Sequence, residues 1–252
     1  MFSIGKYLPK WMQAPLFGKR EWSKRSVPPN GPDMLAWQKA IPAFYVDTQR
    51  KGLGGVVNNA GYSILQCPEV TRGKYFELGP GSLPHLPFWR ERPESLDIAD
   101  IRTAFLEKSS AVLSEAGIAS ESFLINGASF PVPDNSYDGV VSFYSLEHLN
   151  PLSEYLREIA RILKPGGLLV GGIPTEGSLA WGLGRFLTSR RYVQKNFDFD
   201  FDKVIAIEHC NTAQEILDNL NAAFRPVRVR WWPLRLPLLD CNLIVSFIYE
   251  KK

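Results

Sequence analysis

The sequence predicts a doubly wound α/β domain built on a mostly parallel sheet. Three observations lead there. A short apolar run, Tyr75-Phe76-Glu77-Leu78, stops at Gly79-Pro80-Gly81, as a buried parallel strand does when it ends in a tight glycine turn. Six further strand-like runs follow, and stretches with helical spacing separate several of them. One of these runs, 139–143, is nearly all apolar, as a central parallel strand should be.

The totals suit one large domain or two small ones. The chain has 252 residues, 45% of them hydrophobic and 22% charged, which is ordinary for a globular protein. The net charge of +3 is unevenly placed: residues 1–51 carry nine Lys/Arg against three Asp/Glu, so the acidic excess lies in the rest. Cys67, Cys210 and Cys241 are few, odd in number and far apart, which gives neither a disulfide framework nor metal-ligand spacing. A reducing cytoplasm is the expected compartment. No run of 18 apolar residues is present, and the first residues make a poor signal peptide.

Taken in order, residues 1–33 mix Lys6, Lys10, Lys19, Arg20, Lys24 and Arg25 with Phe2, Tyr7, Trp11, Phe17 and Trp22, and end in a Pro/Gly/Asn linker at 28–32. Basic plus aromatic composition suits an anionic membrane surface, so residues 1–25 are a candidate peripheral contact with the inner face of a membrane. The alternative is a tail that packs back through its aromatics. Met34, Leu35, Trp37, Ile41, Phe44, Tyr45 and Val46 fall on a helical face that Gly52, Gly54 and Gly55 break. The expected division is therefore an arm and helical cover over 1–69 and a main domain over 70–252.

Beyond the glycine turn, Pro84, Pro87 and Pro93 make a normal crossover helix unfavourable. Strand two is expected over 95–98, a helix from about Ile101 to Ala116, strand three over 122–125 and strand four over 139–143. Leu152, Tyr155, Leu156, Ile159 and Ile162 mark a helix that stops at Lys164-Pro165-Gly166-Gly167, and strand five covers 168–173. An insertion over 178–208 follows, then a helix over 212–223 and a closing pair of strands over 227–232 and 242–249.

Three features meet at the carboxyl edge of this sheet, where open α/β sheets bind ligands. They are the glycine turn, Asp97 at the expected end of strand two with Ile98 beside it, and the polar turn Asn126-Gly127-Ala128 after strand three. A carboxylate about 20 residues beyond the turn can accept two hydrogen bonds from a ribose diol. An NAD site would share these features. A dinucleotide fingerprint, however, opens a helix whose N-terminus holds the pyrophosphate, and here prolines remove that helix. An adenosine ligand without phosphate fits better.

Glu77-Leu-Gly-Pro-Gly81, Phe130-Pro-Val-Pro-Asp-Asn-Ser-Tyr-Asp138, Leu146-Glu-His-Leu149 and Ile162-Leu-Lys-Pro-Gly-Gly167 resemble the successive motifs of class I S-adenosylmethionine-dependent methyltransferases, closest to the type 11 small methyltransferases. The resemblance covers about residues 70–176 and implies a Rossmann-like, seven-stranded sheet with its last strand antiparallel. It implies S-adenosyl-L-methionine as cofactor. Glu77, Gly79, Pro80 and Gly81 would flank its methionine end, Asp97 would hold the ribose, with Asp100 three residues on as the rival ligand, and Asn126, Gly127 and Ala128 would lie near the adenine. Tyr144 to His148 would line the reaction cleft. Leu83 departs from the small residue usual in the third position of the glycine motif, and Asn126 from the usual acid.

For proton transfer the candidates are His148, Glu176 and His209. In the insertion, Trp181, Arg185, Arg190 and Arg191 either bind an acidic or sugar-containing substrate or form a solvated cap packed by aromatics. The expected activity is methyl transfer, by preference to oxygen, on a small-molecule or glycan acceptor that the basic arm allows to be lipid-linked. The alternative is a cofactor-binding or partner-binding protein on the same fold without catalysis. Nucleic acid is disfavoured, because the body is net negative and shows no basic stripe with stacking aromatics.

Overall fold

The computed structural model describes residues 3–19, 31–44 and 52–252. Phe2, Arg20, Trp22, Lys24, Arg25, Tyr45, Val46 and the 28–30 part of the expected linker lie outside the described residues. In chain order the elements are α1 (Lys10–Phe17), α2 (Pro32–Phe44), α3 (Gly52–Tyr62), β1 (Lys74–Leu78), β2 (Ser95–Asp100), α4 (Thr103–Glu115), β3 (Ser122–Leu124) and β4 (Tyr137–Phe143). Then come α5 (Leu152–Ile162), β5 (Leu163–Pro174), α6 (Leu179–Leu187), α7 (Ser189–Asn196), α8 (Phe201–Glu208), α9 (Ala213–Ala223), β6 (Phe224–Pro233) and β7 (Asn242–Lys251). The strands form one sheet in the order β3-β2-β1-β4-β5-β7-β6, with the last strand antiparallel, as the resemblance implies.

Contacts divide the chain into a sheet unit (61–173, 218–230 and 246–252) and a helical unit (1–60, 174–217 and 231–245). This differs from a single cut at 69/70: the residues after β5 group with the N-terminal ones. The insertion at 178–208 holds three helices. Gly52, Gly54 and Gly55, expected to break a helix, lie inside α3, where context overrides weak intrinsic propensity.

In the sheet unit, β1 pairs in parallel with both β2 and β4, and β4 pairs with β5. Leu96, Ile98, Val141 and Val170 from these strands join Leu106 and Leu113 of α4 in one core. Tyr75 stands opposite Gly139, where a Cβ would lie 2.2 Å from the Tyr75 ring, so the ring fills the space that glycine leaves. On α5 the five apolar residues read from the sequence are all buried. Arg161 on the same helix ties down the turn that leads into β4. It donates to the carbonyls of Phe130 and Val132 at 3.0 and 2.9 Å and to Glu158, which in turn accepts from the Phe130 N–H at 2.7 Å.

The helical unit has its own core, in which Trp37 meets Phe44 and Phe201 at ring separations of 5.1 and 5.7 Å. Its buried charge is concentrated at Asp202, which accepts from Arg185 and from Arg190. Arg185 also donates to the Pro15 carbonyl at 2.8 Å. Burial pushes the Arg185 pKa down, opposed by Asp202.

The Arg161 hydrogen bond holds the Glu158 carboxyl below the usual range, against a smaller opposing effect of burial. A depressed carboxylate stabilises the fold above its unfolded pKa of about 4.3 and loses that contribution as pH falls through the folded value. Glu158→Gln should therefore lower stability in urea by ~1–2 kcal/mol at pH 7, and the gap from wild type should close below pH ~4.

Candidate functional site

The carboxyl edge of the sheet unit carries most of the sequence candidates, and strand register decides which of them can act together. Glu77 pairs level with Ile98, and the Gly79 N–H donates to the Ala99 carbonyl at 2.9 Å, so β2 runs on to Asp100 beside the glycine turn. Side chains alternate between faces along a strand. Glu77, Ile98 and Asp100 thus share one face of the sheet, and Asp97 points to the other.

Asp97 is the candidate that this geometry moves away from the edge. It sits in mid-strand, level with Phe76, and is buried. Its Oδ2 accepts from the Tyr137 hydroxyl at 2.8 Å and lies 3.2 Å from Lys74 Nζ, while Oδ1 accepts from the Glu121 N–H at 2.9 Å. Burial first, then the bond to Asp97, pushes the Tyr137 pKa up. Asp97 is a structural carboxylate inside a polar cluster. Asp100, three residues on, holds the edge position, with Oδ1 accepting from the Arg102 N–H at 2.9 Å. Desolvation raises its pKa, partly offset by that N–H. β2 runs two residues past Ile98, the end expected from the sequence, so that Asp100, the rival acid, is the terminal one.

The glycine turn is left-handed at both glycines, φ +72° at Gly79 and +57° at Gly81, which is the conformation that favours glycine. Pro80 between them is buried. Two serines that the sequence did not single out hold the turn: Ser109 of α4 donates to the Gly81 carbonyl at 3.1 Å, and Ser145 after β4 reaches the Gly79 carbonyl at 3.4 Å. A Cβ at Gly81 or Gly127 would meet nothing within 4 Å, so the backbone at both turns is open to an approaching group. Asn126 is exposed and Ala128 half-buried beside it. Tyr144 is held in left-handed backbone at φ +54°, its N–H bonded to the Gly172 carbonyl at 2.8 Å. Burial raises the pKa of its hydroxyl strongly. A non-glycine residue kept in that region is strained, a feature that gathers at functional sites.

Glu77 and His85 form the least expected part of the site. Both are 1% exposed, with His85 Nε2 3.3 Å from Glu77 Oε2, and neither atom makes a hydrogen bond of good geometry among the described residues. Tyr62 and Phe143 wall them in, with ring centroids 5.8 and 5.2 Å from the His85 ring. A histidine between Pro84 and Pro87 gave no sequence signal beyond its type. The buried Glu77 oxygen and the open glycine turn fit the amino group and backbone-hugging path of an adenosyl amino acid.

The proton-transfer candidates fall in both units. His148 ends a short turn after β4 in the sheet unit, half-buried, with Glu147 buried beside it. In the helical unit, Glu176 lies two residues beyond the end of β5, and its Oε2 is 2.9 Å from His209 Nδ1. Glu176 is buried and His209 half-buried. The structure thus joins two residues that the sequence named separately, 33 positions apart. Arg185 and Arg190, offered from the sequence as substrate-binding groups, instead engage Asp202. Among the described residues no cluster of metal-ligating side chains is present, and no helix is long and apolar enough to cross a membrane.

The two aspartates should respond oppositely in thermal unfolding at pH 7. Asp97→Asn removes an ion pair and sets an amide N–H₂ against donors, and should cost about 1–3 kcal/mol. Asp100→Asn removes a buried charge. Its raised pKa means that stability falls as pH climbs from the unfolded value through the folded one and stays lower above it. At pH 7 the substitution should raise the melting temperature.

Comparison with known proteins agrees with the motifs. Residues 76–171 match the family model described as a methyltransferase domain. The ubiquinone/menaquinone biosynthesis C-methyltransferase UbiE of Cronobacter sakazakii is 33% identical over 113 residues, which are 42% of this chain and 45% of that protein. A probable S-adenosylmethionine-dependent methyltransferase of Mycobacterium tuberculosis is 45% identical over 49 residues, 19% of this chain and 18% of that one. The chain spans less than half the length of the curated relatives it matches. In fold it is similar to the N-methyltransferase NodS of Bradyrhizobium japonicum, solved with S-adenosyl-L-homocysteine (TM-score 0.58, 12% identity, 86% of this chain and 98% of that one). It is as similar to the [4+2]-cyclase SpnF (TM-score 0.58, 13% identity, 90% and 99%). Motifs, strand order and family match converge: residues 76–171 match a methyltransferase-domain model and resemble the class I S-adenosylmethionine-dependent methyltransferases.

Proposed function

We propose that the protein transfers a methyl group from S-adenosyl-L-methionine to an oxygen of a small-molecule or glycan acceptor. The observation that carries this reading is the buried Glu77 carboxylate at the foot of an open glycine turn, on the same sheet face as Asp100. When bound, the cofactor supplies an electrophilic methyl group on a sulfonium. Glu77 would accept from the amino group of its methionine end. Asp100, rather than Asp97, would accept from the ribose hydroxyls, and Asn126, Gly127 and Ala128 would border the adenine. Tyr144 and the turn to His148 shape the cleft.

A titratable imidazole near the carboxyl edge of the sheet unit suits an oxygen acceptor. A neutral hydroxyl must lose its proton as the new O–CH₃ bond forms and the S–CH₃ bond breaks. A base that takes this proton contributes roughly 10²–10⁴-fold. His148, in the turn after β4, is the candidate for this base. Glu176 and His209, paired in the helical unit, are the other candidates. The fold by itself does not choose the reaction, since a [4+2]-cyclase shares it.

Titration calorimetry with S-adenosyl-L-homocysteine tests the cofactor site. Asp100→Asn should weaken binding about tenfold or more, whereas Asp97→Asn, folded, should leave it within about twofold. No binding by the intact protein would sink the reading. In methyl-transfer assays against hydroxyl acceptors, His148→Asn should lower kcat about 10²-fold with cofactor affinity unchanged. A loss seen only with His209→Asn would move the role to that residue. Binding without transfer to any acceptor would favour the non-catalytic alternative.

A further inference from the structure

The loop between β6 and β7 puts leucine where a water-facing loop would put polar residues. Leu234, Leu236 and Leu238 are 56%, 52% and 53% exposed. Four of the six backbone N–H and C=O groups of these leucines are bonded within the protein. Asn242, fully buried, accepts from the Leu234 N–H at 2.9 Å and donates to the carbonyls of Leu236 and Leu238 at 2.9 and 2.8 Å. The Leu238 N–H bonds to the Leu236 carbonyl at 2.7 Å. One buried carboxamide thus spends three hydrogen bonds on holding the loop from inside while three leucines face out. Internal satisfaction of backbone groups is what an apolar medium demands of a loop that enters it. Arg235 at the loop's crest is exposed and held at φ +58°, a strained conformation for a side-chain-bearing residue.

The same helical unit brings a basic, aromatic segment beside this loop. Asp240, at the loop's far end, accepts from the Ile4 N–H at 3.0 Å and from the Leu179 N–H at 2.9 Å. From Ile4 the chain runs through Lys6, Tyr7, Lys10 and Trp11, all exposed, with Trp11 76% and Tyr7 62% accessible. Residues 3–19 contain three lysines and no acid, and residues 231–239 contain Arg235 and no acid.

We propose that the Leu234–Leu238 loop and the Ile4–Trp11 segment form a docking surface for a bilayer with anionic headgroups. Leucines enter the acyl boundary, Trp11 and Tyr7 lie at headgroup level, and Lys6, Lys10 and Arg235 meet the anions. The charge pattern selects this occupant over a second copy of the chain, because a two-fold contact through the patch would set cations against cations. The proposal does not rest on methyl transfer, since docking is measured without cofactor.

Co-sedimentation of the full chain with vesicles tests it. The protein should pellet with phosphatidylcholine–phosphatidylglycerol vesicles, less so as salt rises, and little with phosphatidylcholine alone. The triple variant Leu234→Ser, Leu236→Ser, Leu238→Ser should lower the partition coefficient at least about tenfold. Lys6→Gln and Lys10→Gln should each lower it about fivefold. Trp11→Ala supplies an arm independent of the loop and should also weaken binding. Failure to bind anionic vesicles, equal binding to both vesicle types, or binding that neither the leucine variant nor Trp11→Ala weakens would each overturn the proposal. Concentration-dependent self-association that the leucine substitutions abolish, without vesicle binding, would assign the surface to a second copy instead.

Discussion

The parallel pairing of β1 with β2 is the constraint on which the candidate site depends. The register sets Phe76 level with Asp97 and Glu77 level with Ile98, and the Gly79 N–H closes onto Ala99. Because side chains alternate, that one alignment puts Glu77 and Asp100 on a common face and turns Asp97 away from it. A slip by one residue would reverse every one of these assignments. The apolar residues that flank the pairing, Leu96, Ile98 and Tyr75, are buried, so the core enforces the register that the polar residues use.

Among the described residues, two buried aspartates are well partnered. Asp97 is met by Tyr137, Lys74 and a backbone N–H, and Asp202 by two guanidinium groups. Burying charge is tolerable only with such partners. Glu77 is different: its Oε2 faces His85 Nε2 at 3.3 Å without a well-formed hydrogen bond, inside aromatic walls. A desolvated carboxylate of this kind is suited to a cationic group brought by a ligand. The prolines after the glycine turn are what make room for His85, since they replace the regular helix that would otherwise start there with a short turn over Leu86–Phe88.

The two units differ in what they hold. The sheet unit holds the glycine turn and the carboxylates Glu77, Asp97 and Asp100. The helical unit holds a carboxylate–imidazole pair and an outward-facing leucine loop, both on segments that lie outside the alternating strand–helix rhythm. Its arginines illustrate the hazard of reading function from composition: Arg185 looks like an anion binder in the sequence, yet burial beside Asp202 and Pro15 makes it part of the packing. Neighbours that carry N-methyltransferase or cyclase names share the fold.

The sequence by itself determined the sheet, its glycine turn and the family of motifs. These are written in local patterns: apolar runs for buried strands, helical spacing on α5, and Gly or Pro where the backbone must turn. It also showed that prolines deny the turn a phosphate-binding helix. What it did not hold was any property set by residues distant in the chain. Asp100 rather than Asp97 at the edge follows from where β2 stops pairing. His85 against Glu77, Glu176 against His209, and Asn242 beneath three leucines follow from packing. Periodicity says which face a side chain takes along its own element. Only tertiary structure says what stands opposite, and that neighbour decides whether a carboxylate is a strut, a ligand or half of a base.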